Sequence, residues 1–154
     1  MLTDEEKRQI DAVIDAHGPR QGSAPDALKT VQKSRGWVSD QTLAELADYL
    51  GMTPAELDSL ATFYNLIFRK PVGRHVIFLC DSVSCYVMGY QTLLEHLTAR
   101  LGIGFGGTTG DGRFTLLPIA CLGACDQAPA MLIGEDLHGN LTPERIDQIL
   151  ERYE

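Results

Sequence analysis

The chain holds four cysteines, and they fall into two close pairs. Cys80 and Cys85 are spaced C-x4-C, Cys121 and Cys125 are spaced C-x3-C, and 35 residues lie between the pairs. Four thiolates brought to one place are the ligand set of a metal centre. No catalytic triad, phosphate loop or basic patch competes with them as the seat of function. Three chemistries suit such thiols. Disulfides belong to oxidising compartments, whereas the start Met1-Leu2-Thr3-Asp4-Glu5-Glu6 is acidic and lacks the basic leader and apolar stretch of a secretory signal. A cytosolic chain keeps its thiols reduced, and close pairs there read as metal or redox sites. Neither pair has the C-x-x-C spacing of a thioredoxin-type dithiol. Zinc held by four cysteines tolerates C-x2-4-C pairs. Four cysteines also hold [2Fe–2S] and [4Fe–4S] cores, and looser spacing suits a centre larger than one ion. Spacing alone ranks iron–sulfur first, zinc second and disulfide last.

Composition narrows the class further. The 154 residues suffice for one ordinary domain or two small ones, and 44% hydrophobic content supports a core. A net charge of −8 argues against nucleic acid as a partner. No run approaches the roughly 18–20 apolar residues of a membrane span, so direct membrane insertion is not expected.

The elements that must position the thiols divide into two halves. Residues 3 to about 61 read as four short amphipathic helices forming a small bundle. Thr3-Asp4-Glu5-Glu6 is a capping box ahead of Ile10, Val13, Ile14 and His17, and Gly18-Pro19 ends that helix. Ser23 is placed to cap a second helix carrying Leu28 and Val31, which ends near Gly36. Ser39 opens a third, with Leu43, Leu46, Ala47 and Leu50 on one face and Gly51 beyond it. Thr53-Pro54-Ala55-Glu56 joins an N-cap, Pro at the first helical position and Glu at the third, ahead of Leu57 and Leu60. Trp37 reads as core filling rather than as a partner anchor. Residues 62–74 connect the halves. Phe63, Tyr64, Ile67 and Phe68 make that segment too apolar for a free linker, so it is expected to pack on both halves or on a partner.

The second half reads as β-α-β-β-α. His75–Leu79 is a buried strand with Cys80 at its end. A helix carries Leu93, Leu94, Leu97 and Leu101, and Gly102 stops it. Phe114–Leu117 is a second strand with Cys121 a few residues beyond, and Ala130–Ile133 is a third. A turn through His138-Gly139-Asn140 suggests a hairpin return, and Thr142-Pro143 caps a last helix with Ile146, Ile149, Leu150 and Tyr153 on one face. Both cysteine pairs thus follow strands on loops, where open α/β sheets place their sites.

These residues carry a resemblance. Ala61-Thr62-Phe63-Tyr64, Phe68-Arg69, Pro71-Val72-Gly73, Cys80-Asp81-Ser82-Val83-Ser84-Cys85, Asp111-Gly112-Arg113-Phe114-Thr115-Leu116 and Cys121-Leu122-Gly123-Ala124-Cys125-Asp126 resemble the E subunit of bacterial respiratory NADH:quinone oxidoreductase (complex I). The same family includes the mitochondrial twenty-four-kilodalton subunit. The resemblance runs from about residue 3 to the C-terminus, and its C-x4-C…C-x3-C spacing differs from that of plant-type ferredoxins. It implies an α+β chain. Residues 1–61 are the helical bundle, 62–74 the connection, and 75–154 a thioredoxin-like [2Fe–2S] ferredoxin domain. It implies Cys80, Cys85, Cys121 and Cys125 as the cluster ligands, with no catalytic residue in this chain. It further implies a flavoprotein partner that binds FMN and NADH and carries a [4Fe–4S] cluster, and larger iron–sulfur subunits beside it. The location it implies is the cytoplasm, peripheral on the inner face of the cell membrane. Hydride chemistry would occur on the partner, and this chain would exchange single electrons. Tyr86 and Ala124 depart from the pattern, which has polar residues such as His and Asn beside the ligands.

The expected tuning follows from charge. An oxidised [2Fe–2S] core with four thiolates carries about −2, and reduction adds one more negative charge. Amides around Ser82–Tyr86 and Leu122–Asp126 are the expected donors to sulfur, with Gly123 allowing close backbone approach and a helix after Cys85 aiming its N-terminus at the site. Asp81 and Asp126 would oppose reduction.

Other features read as structural. Gly102-Ile103-Gly104-Phe105-Gly106-Gly107 matches G-x-G-x-x-G, but a helix precedes it and a strand follows, the reverse of a dinucleotide site, so a flexible loop is expected. His17, His75, His96 and His138 are scattered, and four thiols leave no vacancy for them. Glu5-Glu6 and Glu135-Asp136 read as solvated faces. Two alternatives stand beside the respiratory complex: the equivalent small subunit of an NAD-linked formate dehydrogenase or hydrogenase, and a zinc-stabilised structural adaptor.

Overall fold

The computed structural model describes residues 1–154, which form two compact units, Met1–Pro71 and Val72–Glu154. The first holds α1 (Asp4–His17), α2 (Ala24–Arg35), α3 (Asp40–Leu50) and α4 (Pro54–Phe63). Three of the four expected caps form. Thr3 and Thr53 make full capping boxes with Glu6 and Glu56, and the Ser39 side chain accepts from the Thr42 N–H. Ser23 differs. Its backbone is already helical, and its hydroxyl lies 3.4 Å from the Pro19 carbonyl, so it caps nothing. Ile10, Leu28, Val31, Leu43, Leu46, Leu50 and Leu57 meet in one core. Trp37 is only half-buried and stays outside that core.

One feature of this unit departs from the sequence reading, and another bears on the connecting segment. Glu6 is 4% exposed rather than solvated, because Arg35 reaches it with Nε and Nη2, both at 2.7 Å, and Ser34 adds a bond at 2.6 Å. Residues 62–71 are part of the unit. Gln32 donates to the Leu66 carbonyl at 2.8 Å and accepts from the Phe68 N–H at 2.6 Å. Arg69 bonds Asp58 at 2.8 Å, Asp40 at 2.7 Å and the Val38 carbonyl. Ile67 enters the core, while Phe63, Tyr64 and Leu66 remain exposed.

The second unit holds β1 (His75–Cys80), α5 (Val83–Val87), α6 (Tyr90–Leu101), β2 (Phe114–Ile119), β3 (Met131–Ile133), β4 (Asp136–His138) and α7 (Pro143–Leu150). The sheet order is β2-β1-β3-β4, with β1 parallel to β2 and antiparallel to β3. Ile77, Leu79, Phe114, Leu116, Met131 and Ile133 share a core with Leu93 and Leu97 of α6 and Ile146, Ile149 and Leu150 of α7. Val76, Phe78 and Cys80, on the opposite face of β1, are buried as well. A strand paired on both edges and buried on both faces is expected to be apolar, as β1 is from Val76 to Cys80.

The hairpin lies elsewhere than expected. Gly134 and Glu135 make the turn between β3 and β4, and residues 139–142 lead from β4 into α7. The G-x-G-x-x-G stretch is not a free loop either. Gly106 N–H donates to Leu116 O at 2.8 Å, Leu116 N–H to Gly107 O at 3.1 Å, and Thr109 N–H to Phe114 O at 2.8 Å, so this arm lies along β2. No helix is long and apolar enough to cross a membrane.

Candidate metal centre

Cys80 is the last residue of the central strand, and both neighbours fix it. Its N–H donates to Ala130 O at 3.1 Å, and the next N–H, of Asp81, donates to Ile119 O at 3.0 Å. The chain then turns through Ser82 into α5, which carries Cys85. Cys85 therefore sits within a short helix rather than on a loop, and the helix begins before it. The Tyr86 N–H is spent on Ser82 O at 2.8 Å, so it is not a donor to sulfur. Gly89, at φ 115, lets the chain turn again into α6.

The second pair lies beyond β2. Cys121 and Cys125 are exposed, in contrast with buried Cys80 and Cys85, and all four are free thiols. Cys125 opens a 3-10 turn over Cys125–Gln127. Gly123 N–H donates to the Cys121 sulfur at 3.2 Å, the one expected amide donor that the structure places on a thiol. Gly123 is needed for its φ of 69 rather than for closeness, since a β-carbon there would meet open space.

The thiols act on one another. The Cys85 thiol is pushed up to about 11, first by burial and next by a hydrogen bond with Cys80, with the charges of Cys80 and Cys125 adding to the rise. The backbone of Ala130 opposes this by hydrogen-bonding to the same sulfur. Cys80 and Cys85 are thus in direct contact, Cys125 is near enough for its charge to reach Cys85, and Cys121 shares the Leu122–Ala124 loop with Cys125. No group of three or more His, Cys, Asp or Glu side chains stands close enough to hold a single metal ion.

The second loop is braced from behind, which the spacing of cysteines did not reveal. Asn140 N–H donates to Gln127 O at 2.6 Å and Leu141 N–H to Pro129 O at 3.1 Å. Gly139 packs against Gln127 with no room for a side chain. A Gly-Asn pair after a strand is a turn signal, but its partner across the loop cannot be read from sequence.

The histidines are engaged elsewhere. His17 contacts Val13 O at 3.1 Å, and His75 contacts Glu154 O at 2.9 Å. His96 contacts Asp147 at 2.9 Å, and His138 the Tyr153 hydroxyl at 2.9 Å.

Residues 10–154 match the family model of the thioredoxin-like [2Fe–2S] ferredoxins. The chain belongs to that family. Among curated relatives of this ferredoxin, the NADH-quinone oxidoreductase E subunit of Escherichia coli is 49% identical over 152 residues, covering 99% of the chain and 92% of that relative. The E subunit of Pseudomonas aeruginosa is 43% identical over 153 residues, with the same two coverages of 99% and 92%. The E subunit of Salmonella typhimurium is 55% identical over 135 residues, covering 88% of the chain and 81% of that relative. A crystal structure of an NAD+-reducing [NiFe]-hydrogenase in its H2-reduced state superposes with a TM-score of 0.70 at 35% identity. That match covers 84% of this chain but only 22% of the hydrogenase chain.

Proposed function

We propose that this ferredoxin is the [2Fe–2S] electron-carrier subunit of the NADH-oxidising module of a respiratory NADH:quinone oxidoreductase. The observation that carries the proposal is the set of four free thiols in the segments that follow the paired strands β1 and β2, in a chain 49% identical over 152 residues to an E subunit of that enzyme. Cys80, Cys85, Cys121 and Cys125 would together hold the cluster. The donor set fits: soft thiolates, with Gly123 and Ala130 backbone groups already turned toward sulfur. When bound, the cluster takes up and releases one electron at a time.

The chain's own groups hold and tune that site. Burial of Cys80 and Cys85 keeps water from one side, and the amide at Gly123 stabilises negative sulfur on the other. FMN, NADH and a [4Fe–4S] cluster belong in this reading to a flavoprotein partner, which takes the hydride, with larger iron–sulfur subunits beyond it. The complex lies at the inner face of the cell membrane, with this chain on its cytoplasmic side.

Anaerobically purified protein tests the reading. It should show visible bands that bleach with dithionite, near two irons and two acid-labile sulfides per chain, and an EPR signal on reduction. Cys80→Ala and Cys121→Ala should each lose most of the iron. A colourless, EPR-silent protein that holds zinc tightly after anaerobic reconstitution would instead make it a structural adaptor.

A second reading has its own observation, the hydrogenase superposition. In that case the chain would serve an NAD-linked hydrogenase or formate dehydrogenase. Purification of the native complex and identification of its other subunits separates the two.

A further inference from the structure

Resting on the electron-carrier reading above, we propose that Tyr153 is a positioning residue for Cys125: its hydroxyl pins β4, and β4 anchors the strap that holds the Cys125 turn. The need arises in β4 itself. It has three residues and pairs only with β3, at the edge of the sheet. A strand so short and so little paired opens easily unless another group holds it. Asp136 and His138 alternate with exposed Leu137 and so share the other side of the strand. Tyr153 reaches both. Its hydroxyl donates to Asp136 Oδ2 at 2.9 Å and lies 2.9 Å from His138 Nε2. A carboxylate only accepts, so the phenolic proton goes to Asp136, and His138 Nε2–H donates to the phenolic oxygen. Burial and the Asp136 bond push the Tyr153 hydroxyl up to about 12, so it keeps that proton across the neutral range.

The anchor is firm and the strap is short. Tyr153 follows α7, whose Ile146, Ile149 and Leu150 are buried and whose Asp147 meets His96 at 2.9 Å and Arg100 at 3.3 Å. The Tyr153 ring stands edge-on to His75 and His138, with centroids 5.1 Å and 6.1 Å away. On the other side, His138 is followed directly by Gly139, which packs on Gln127, and by Asn140, whose N–H donates to Gln127 O at 2.6 Å. Asn140 adopts φ 50, a left-handed conformation that a non-glycine residue keeps only where its neighbours fix it. Gln127 ends the turn that Cys125 opens, and its own N–H donates to Ala124 O at 3.0 Å. Leu141 N–H donates to Pro129 O at 3.1 Å, next to Ala130, which accepts the Cys80 N–H at 3.1 Å. Each link from Tyr153 to Cys125 is a hydrogen bond, a direct packing contact or a peptide bond. A contiguous network of that kind carries a local change from one end to the other. Loss of the phenolic oxygen would leave half-buried His138 without its partner and free β4 to shift, and the strap with it.

The test uses the full chain with its cluster reconstituted. Tyr153→Phe keeps the ring and removes the hydroxyl. Hydrogen exchange at the Asn140 amide should quicken about tenfold, the factor for one hydrogen bond to a charged group, while β1 amides keep their wild-type rates. Iron release to EDTA should quicken by a similar factor, about tenfold. Reduced-state EPR lines should broaden, because a looser Cys125 turn gives a spread of site geometries. Asp136→Ala, at an exposed position, should reproduce all three effects and serves in its place if Tyr153→Phe folds poorly. Asp136→Asn keeps an acceptor and should restore most of the protection. Tyr153→Phe combined with Asp136→Ala should do no more than either alone, since both break the same link. Wild-type exchange, iron release and EPR in both single variants would overturn the proposal. So would equal quickening at Asn140 and in β1, the mark of a general stabiliser. Faster Asn140 exchange with unchanged iron release and EPR would overturn it too, by ending the link short of Cys125. Failure of the electron-carrier reading shows separately, in wild-type chain that takes up no cluster. Asn140 exchange in that chain still reads the strap, and rates unaltered by Tyr153→Phe would again overturn the proposal.

Discussion

Gly139 lies directly against Gln127: a β-carbon on Gly139 would fall 2.5 Å from the Gln127 Cβ and 2.9 Å from its carbonyl oxygen. Gln127 closes the 3-10 turn that Cys125 opens, and Asn140 binds the same carbonyl at 2.6 Å. The approach to α7 is therefore a brace for one cysteine. Gly139→Ala should destabilise the second unit by about 1–3 kcal/mol, as overpacking does. It should also lower the iron retained after gel filtration. Gly104→Ala, where a β-carbon meets open space, should stay within about 0.5 kcal/mol. Thermal melts and iron assays on both variants measure this. Unchanged stability and iron content in Gly139→Ala would dismiss the brace.

Charge near the centre sets a second expectation. Asp81 and Asp126 are exposed and adjoin Cys80 and Cys125. A negative charge nearby disfavours the added electron, so Asp81→Asn and Asp126→Asn should each raise the midpoint potential, by on the order of tens of millivolts. Potentiometric EPR titration decides, and potentials equal to wild type in both variants would reject the account.

Acid should attack the helical unit through Glu6. The Arg35 guanidinium holds the Glu6 carboxyl well below the usual range, against the opposing effect of burial, with Ser34 and the Thr3 N–H assisting. Because the folded-state value is depressed, the stabilisation is complete above the unfolded value of about 4.3 and is lost as pH falls below it. Glu6→Gln should remove this acid sensitivity. It should also cost about 2–3 kcal/mol at neutral pH, less than for a wholly buried pair because the Arg35 side chain is 29% exposed. Urea titrations at neutral pH and near pH 3 would show a Glu6→Gln penalty that shrinks in acid.

Removing the cluster should affect the two units unequally. A group that binds only the folded Val72–Glu154 unit stabilises that unit by mass action. Chelation and oxidation of iron should lower its melting transition by at least about 5 °C, with little change in the Met1–Pro71 transition. Calorimetry of holo and apo protein gives the comparison, and an equal fall in both would contradict it.

What the sequence foretold depended on how local the signal was. Thr3, Ser39 and Thr53 with their partners three residues on are contacts within one turn, and they form as read. Ser23 has the right residue type but the wrong backbone, because Pro19 and Gln21 already draw it into a turn. The stripes of α3 and the run of β1 announce themselves through period and length. Glu6 does not, because its partner stands 29 residues away and only the fold brings Arg35 to it. The hairpin falls away from its expected place for a related reason. Gly134-Glu135 and His138-Gly139-Asn140 are both turn-forming, and only pairing of Met131 with His138 decides between them. The spacing of the cysteines nominates the candidate site, but the burial of one pair and exposure of the other, and the bracing of Gln127, are tertiary facts.

The sheet order has a bearing on how the chain matures. Cys80 ends the strand that comes first in sequence but lies in the middle of the sheet, and its neighbours Ile119 and Ala130 arrive some forty and fifty residues later. A growing chain that has emerged as far as Cys85 carries two thiols and no site. Closing such long loops precedes any reward from the contacts they allow. Cluster insertion is thus a late step, available only after β2 and β3 have docked. Until then the thiols stand open to oxidants and to stray metal ions.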